Sequence, residues 1–222
     1  MTTVEAKPPF SGLRNDPLKL LTLTGILSGL ACYLVVLVLN SYDFGTKVGD
    51  AVRMCPGFIL GAFITIALYR MRVLRSWPAL VVIGFCYLGW YAAFLTGEAA
   101  PSGHTGIVAS PVGAAIAYLG VALVLPAARN VMFALVAVIG CTLYGFIFDL
   151  TNLWNVDIGF IVLFVIWQAI FCFGVGMAVK AQIAHPDPNA YGRSNPGLLT
   201  ILLAGLVICA VLFIVLRLIL SI

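Results

Sequence analysis

The chain has 222 residues, of which 63% are hydrophobic and only 9% are charged, whereas soluble domains are usually about 25% charged. This composition is typical of an integral membrane protein, and it leaves no polar stretch long enough to form a separate soluble domain. The net charge is +4, and such a small excess of positive charge gives no indication of nucleic-acid binding.

Seven long apolar runs follow one another along the chain, and a spanning helix needs about 20 mostly apolar residues. In chain order the runs cover residues 19–39, 54–69, 77–96, 107–125, 130–148, 158–179 and 198–220. Segments such as VVLVL, residues 35–39, are continuously apolar, unlike the alternating strands of a membrane β-barrel. The sequence therefore predicts an all-α integral membrane protein built as a bundle of seven transmembrane helices.

The second run is the weakest of the seven, because only 16 residues separate Arg53 from Arg70. A run of this length spans a bilayer if the bilayer thins locally or if Arg53 extends its charged end to the surface. If the run does not span, the bundle has six helices and the C-terminus changes sides. Seven helices remain the prediction.

The Lys and Arg residues alternate between the two sides of these runs, and this bias sets the orientation of a membrane protein. With a cytoplasmic N-terminus, the inner segments carry Lys7, Arg14, Lys19, Arg70, Arg72, Arg75, Arg129, Lys180 and Arg193. The outer segments carry only Lys47, Arg53 and Arg217. The sequence therefore predicts a polar cytoplasmic tail over residues 1–17 and one multi-pass helical domain over residues 18–222, with the C-terminus outside. A bacterial inner membrane is the expected location, and an organelle membrane also fits.

Pairs of glycines at four-residue spacing predict where helices pack closely. Gly25 and Gly29 share one face of the first helix, and Gly57 and Gly61 share one face of the second. Small residues at this spacing let two helix backbones approach, so that van der Waals contact holds them together. Packing within the chain is the default interpretation. An interface with other membrane subunits, or with further copies of the chain, is the alternative, and membrane lipids are expected partners in either case.

Ionisable residues are absent from the middle of every run, although such residues usually mark the function of a membrane protein. Midspan polar residues such as Ser28, Tyr118 and Gln168 are expected to bond to a neighbouring helix or to their own. This pattern disfavours a proton pump, a voltage sensor and a carboxylate-based ion carrier. It leaves open a carrier of a neutral or lipid-like molecule, which needs only a few polar contacts.

One group of polar residues falls on the predicted outer face, between the third and fourth runs and between the fifth and sixth. Its members are Glu98, Ser102, His104, Asp149 and Asp157. A histidine with several carboxylates has the chemistry of a divalent-cation site. Nothing in the sequence fixes the distances between these residues, so no metal site and no catalytic residue is assigned. The cofactor, whether lipid, quinone or pigment, is unknown.

Within this group, the segment Pro101-Ser102-Gly103-His104-Thr105 resembles the central motif of the type 2 phosphatidic acid phosphatases. In that family the serine and glycine help to hold phosphate and the histidine acts as an acid or base. The resemblance would give those roles to Ser102, Gly103 and His104. However, Leu153 stands where the nucleophilic histidine would fall, and no Lys or Arg lies between residues 77 and 104. Without a nucleophile and a cationic clamp, the resemblance implies a degenerate relative that does not transfer phosphate by this route.

Three functions are consistent with these observations, and the sequence disfavours an enzyme. The first is a non-catalytic accessory or scaffolding subunit of a larger membrane assembly, in contact with lipid or pigment. The second is a small transporter or channel for a neutral or lipid-like substrate, whose helices would be broken near midspan at glycines. The third is the degenerate phosphatase relative, supported by one five-residue motif.

Overall fold

The computed structural model describes residues 16–40, 55–74, 78–101, 103–151 and 157–185, and all the regular secondary structure in these residues is helical. The helices are α1 (Pro17–Asn40), α2 (Cys55–Arg70), α3 (Pro78–Glu98), α4 (Thr105–Val124), α5 (Val131–Leu150) and α6 (Asp157–Ala184). A short 3-10 helix, Pro126–Arg129, joins α4 to α5. The predicted seventh run, residues 198–220, lies outside the described residues, as does most of the predicted N-terminal tail.

Five of the described helices contain a stretch that is long and apolar enough to cross a membrane. These stretches are Pro17–Val35, Pro78–Glu98, Thr105–Val124, Val131–Leu150 and Ile161–Ala184. Helix α2 is also apolar but has only 16 residues, which agrees with its short run in the sequence. The predicted all-helical fold is confirmed for the described residues, and the five long apolar helices are compatible with the predicted multi-pass membrane protein.

Capping residues explain where two of the helices begin. The Asp16 carboxylate accepts hydrogen bonds from the backbone N–H groups of Leu18 at 3.2 Å and Lys19 at 3.4 Å, and Pro17 occupies the first helical position, where no N–H is needed. The Asn130 side chain likewise accepts a hydrogen bond from the N–H of Met132 at 3.0 Å and starts α5. Both caps are local, so the sequence next to each helix dictates its start.

The six helices form a closed ring. Each helix packs against the next one along the chain, and α1 also packs along α6. Neighbours run antiparallel. For example, Gly57 lies beside Cys86 while Gly61 lies beside Ile83. The ring closes because the early part of α1 meets the late part of α6, where Gly176 lies against Leu18.

Aromatic side chains from α3, α4 and α6 pack together inside this ring. The ring of Phe171 stacks on Trp167 at 5.7 Å between centroids and meets Tyr118 edge-on at 6.3 Å. Trp90 and Phe164 form a second pair at 5.4 Å. Such arrangements add roughly 0.5–1.5 kcal/mol per pair beyond the area that is buried. The Trp90–Phe164 and Tyr118–Phe171 pairs connect helices that are not neighbours in the sequence.

The paired glycines of α1 and α2 lie where helix backbones approach each other closely. A Cβ atom added to Gly29 would lie 2.6 Å from the Cα atom of Val165 on α6. One added to Gly57 would lie 2.6 Å from the carbonyl oxygen of Cys86 on α3. Gly25 and Gly61 have similar backbone neighbours on the same two helices. Within the described residues, these glycines therefore contact helices of their own chain.

Charge is distributed unevenly between the two ends of the ring. Because neighbouring helices alternate in direction, α1, α3 and α5 begin at the same end where α2, α4 and α6 finish. The described Lys and Arg residues all lie at that end, and they are Lys19, Arg70, Arg72, Arg129 and Lys180. Of the described acidic residues, Glu98, Asp149 and Asp157 lie at the opposite end, and Asp16 lies at the same end as the Lys and Arg residues. We call the end with the Lys and Arg residues the basic end and the opposite end the acidic end.

Candidate functional site

Asp149 forms a hydrogen-bonded cap on a helix other than its own. It lies near the end of α5, and its Oδ1 atom accepts a hydrogen bond from the N–H of Gly106 at 2.8 Å. Its Oδ2 atom accepts one from the N–H of Ile107, also at 2.8 Å. These N–H groups belong to the first turn of α4, where a helix has no internal partners for them. The carboxylate also carries the charge that a helix N-terminus favours.

A close approach between two glycines places Asp149 in this position. Gly106 of α4 and Gly145 of α5 face each other, and a Cβ atom added to either one would collide with the carbonyl oxygen of the other. Asp149 follows Gly145 by four residues, so it lies one helical turn further along the same face of α5. The small residues therefore bring the backbones together, and the carboxylate reaches the α4 terminus as a result.

The structure places four of the five predicted rim residues at the acidic end. Glu98 ends α3 and is exposed, and His104 immediately precedes α4 and is half-buried. Asp149 lies against the first turn of α4. Ser102 falls outside the described residues, and Asp157 is the first residue of α6, with its side chain outside the described part. Among the described residues, no group of three or more His, Cys, Asp or Glu side chains is arranged to hold a metal ion.

The glycine of the phosphatase-like segment has a conformational role. Gly103 has a φ of +84°, a left-handed conformation that costs glycine little and other residues more. It turns the chain from the end of α3 into α4, and the N–H of His104 bonds back to the carbonyl of Pro101 at 3.1 Å. A tight turn at this point thus needs Gly103 whether or not a phosphate binds there.

A second polar cluster is buried between α1, α2 and α6. The Ser28 hydroxyl donates to the Oε1 atom of Gln168, and the Gln168 amide donates to the Cys32 sulfur at 3.3 Å. The Cys32 thiol in turn donates to the carbonyl of Pro56 at 3.6 Å. We call this set the Gln168 network. It satisfies the buried amide and links the three helices.

The midspan polar residues divide into several groups. Ser28 and Gln168 bond to each other across two helices, as expected. The Tyr144 hydroxyl on α5 donates to the carbonyl of Val162 on α6 at 2.7 Å, and Thr142 bonds within its own helix. The hydroxyls of Thr65 and Tyr118 are buried with no hydrogen-bond partner in the part of the chain that the structure describes. The contribution of Cys32 could not be predicted from the sequence, because a thiol inside an apolar run resembles any other small hydrophobic residue.

Removing the Gln168 amide is expected to destabilise the protein modestly. Hydrogen bonds between membrane helices contribute about 0.6 kcal/mol on average and up to about 1.7 kcal/mol. Gln168→Leu and Ser28→Ala, measured singly and together by unfolding in detergent, should show a coupling energy in that range. Thr142→Ala is the matched control, since that hydroxyl bonds only within α5 and should show no coupling with Gln168→Leu. Additive losses from Ser28→Ala and Gln168→Leu would contradict the network.

The candidate site is thus a set of polar groups that the fold itself uses. The Asp149 carboxylate at the acidic end holds the start of α4, and the Gln168 network holds α1 and α2 against α6. Comparisons of the chain with protein-family models, with curated proteins and with solved structures found no match.

Proposed function

We propose that this chain is a non-catalytic accessory or scaffolding subunit of a larger membrane protein assembly, in contact with lipid or pigment. The observation that carries the proposal is the bonding of Asp149. A carboxylate that accepts backbone N–H groups at a helix N-terminus stabilises that helix. Both oxygens of Asp149 accept such groups from α4, which supports a structural use of this residue.

The outer surface of the ring is apolar and therefore suited to apolar partners. Large hydrophobic side chains are exposed along α5 and α3, including Ile139, Leu143, Leu150, Leu80 and Leu88. Lipid tails and the helices of other subunits both cover such faces in a bilayer. We therefore propose membrane lipids and either other membrane subunits or further copies of this chain as the partners.

The distribution of charge supports one orientation. Because the positively charged side of a membrane protein faces the cytoplasm, we propose that the basic end is cytoplasmic. The N-terminus then lies inside. A seventh span over residues 198–220 would carry the C-terminus to the outside.

Reporter fusions test this topology directly. A fluorescent protein fused after His185 is expected to fluoresce, because that residue follows the basic end of α6. Alkaline phosphatase fused after Ile222 is expected to be active, because the seventh span exports it. Two further fusions serve as controls. Alkaline phosphatase fused after His185 should be inactive, and a fluorescent protein fused after Ile222 should not fluoresce. If the fusions after Ile222 report the same side of the membrane as those after His185, the chain has six spans instead of seven.

The proposed function is tested by purification in a gentle detergent from the native membrane at native expression level. We expect the tagged chain to migrate with another membrane polypeptide, or with further copies of itself, in a fixed ratio. A tagged unrelated multi-pass protein from the same membrane is the control for detergent carry-over. A clean monomer would defeat the subunit proposal.

A transporter or channel for a neutral or lipid-like molecule is the second candidate. It is supported by the buried hydroxyls of Tyr118 and Thr65, for which no partner is found within the described residues. Against it, α3, α5 and α6 continue unbroken through Gly84, Gly140 and Gly174, although broken helices are typical of transporter sites. A monomer that takes up a labelled neutral solute into liposomes would favour this candidate over the subunit.

A further inference from the structure

Helix α1 presents a row of leucines on the face that points away from the ring. Leu23, Leu27, Leu30, Leu34 and Leu37 are all exposed, by 37% to 59%. They recur at alternating spacings of four and three residues, the repeat along which two helices pack side by side. We call this row the leucine stripe. The glycines and Ser28 of the same helix lie on the opposite face, against α6.

Closure of the ring decides where any later helix must go. Since α1 and α6 already contact each other, a helix that follows α6 along the chain cannot be inserted between them. It must lie on the outside of the ring. The described part of α6 ends at Ala184, at the basic end. This is also the end at which α1 begins.

We propose that the chain's own C-terminal apolar run, residues 198–220, packs as a parallel helix along the leucine stripe of α1. This rests on the seventh span proposed above. The run has 23 residues, close to the 24 of α1, and both would cross from the basic end to the acidic end. At the same alternating spacings of four and three residues it carries Leu202, Leu206, Cys209, Phe213, Leu216 and Leu220.

The connecting segment is long enough for this placement. Residues 185–197 provide 13 residues, which span at most about 47 Å when fully extended. Helix axes pack 8–10 Å apart, so the far side of α1 is roughly 20 Å from α6. A short flexible linker also holds a tethered segment near its binding surface at an effective concentration in the millimolar range. This tether favours the chain's own run over the α1 helix of a second copy, which has to associate from the bilayer.

Photo-crosslinking in the full-length protein in its membrane tests this inference. A benzoylphenylalanine replaces Leu34 in one variant and Leu143 in the matched control. Both leucines are exposed to a similar extent, at 59% and 57%, but Leu143 lies on α5. Each variant also carries a protease site within residues 186–197, which is cut after illumination.

We expect the two fragments of the Leu34 variant to stay joined after cleavage and those of the Leu143 variant to separate. Leu27, replaced in the same way, gives a second position should the Leu34 variant not fold. A product of twice the chain's mass would show that a second copy covers the stripe, and adducts to lipid alone would show that nothing but lipid does. Either result overturns the proposal. The reporter fused after Ile222 separates this failure from failure of the seventh span, because it reads topology without depending on the contact.

Discussion

Substituting alanine for Gly25 is expected to lower the stability of the protein sharply, whereas the same substitution at Gly84 should leave it almost unchanged. A Cβ atom at Gly25 would lie 2.7 Å from the carbonyl carbon of Gln168 and 2.8 Å from the Cα atom of Ala169. These are backbone atoms, so no side-chain rotation relieves the collision. At Gly84 no atom lies within 4 Å of the added methyl group.

The expected loss of stability for Gly25→Ala is about 2–3 kcal/mol, in the upper part of the range of about 1–3 kcal/mol that overpacking usually costs. For a chain of this size that corresponds to a fall of roughly 5–10 °C in the unfolding midpoint. Thermal unfolding in detergent, followed by tryptophan fluorescence, measures both variants under one condition. Both sites are glycines inside apolar helices, so the change in helix propensity is the same for both variants. The difference between their unfolding midpoints therefore measures the effect of the close contact. Equal midpoints would contradict the close packing of α1 on α6.

Removing the carboxylate of Asp149 is also expected to lower the stability of the protein by a large amount. Asp149→Ala leaves the N–H groups of Gly106 and Ile107 without the bonds that they make now. Loss of a charged hydrogen-bonding partner costs about 1.5–3 kcal/mol, so the unfolding midpoint should fall clearly. Asp149→Asn keeps one acceptor oxygen, so it is expected to lose about half as much stability as Asp149→Ala.

Glu98→Ala is the control for Asp149→Ala, because it removes an exposed carboxylate at the same end of the ring. Changes at such surface positions usually alter stability by less than about 0.5 kcal/mol. Hydrogen–deuterium exchange then locates the effect, with faster exchange expected in the first turn of α4. An Asp149→Ala variant as stable as Glu98→Ala would mean that the carboxylate does not hold this helix.

The helices themselves were largely predictable, because their signal is local. The run predicted over residues 130–148 is the helix Val131–Leu150, and the run over residues 19–39 is Pro17–Asn40. The sixth helix continues to Ala184, past the predicted end at residue 179. The apolar run ends before Lys180, but backbone hydrogen bonding does not stop at the edge of the hydrophobic layer.

The contacts between distant segments could not be predicted. The spacing of Gly25 and Gly29 indicates a close helix contact but does not say which helix supplies it, so the closure of the ring by α1 and α6 has no signature in the sequence. Asp149 was identifiable as an acid near the membrane surface. Its role as the cap of α4 depends on the approach of Gly106 to Gly145, which only the tertiary structure reveals.

We propose that this helical ring serves a larger assembly as a structural subunit. The most direct measurement is the mass of the particle extracted from the native membrane in polymer-bounded lipid discs, determined by native mass spectrometry. We expect a mass that contains this chain together with another membrane polypeptide, or further copies of itself, in a fixed ratio. A particle that contains one copy of the chain and lipid alone would contradict it.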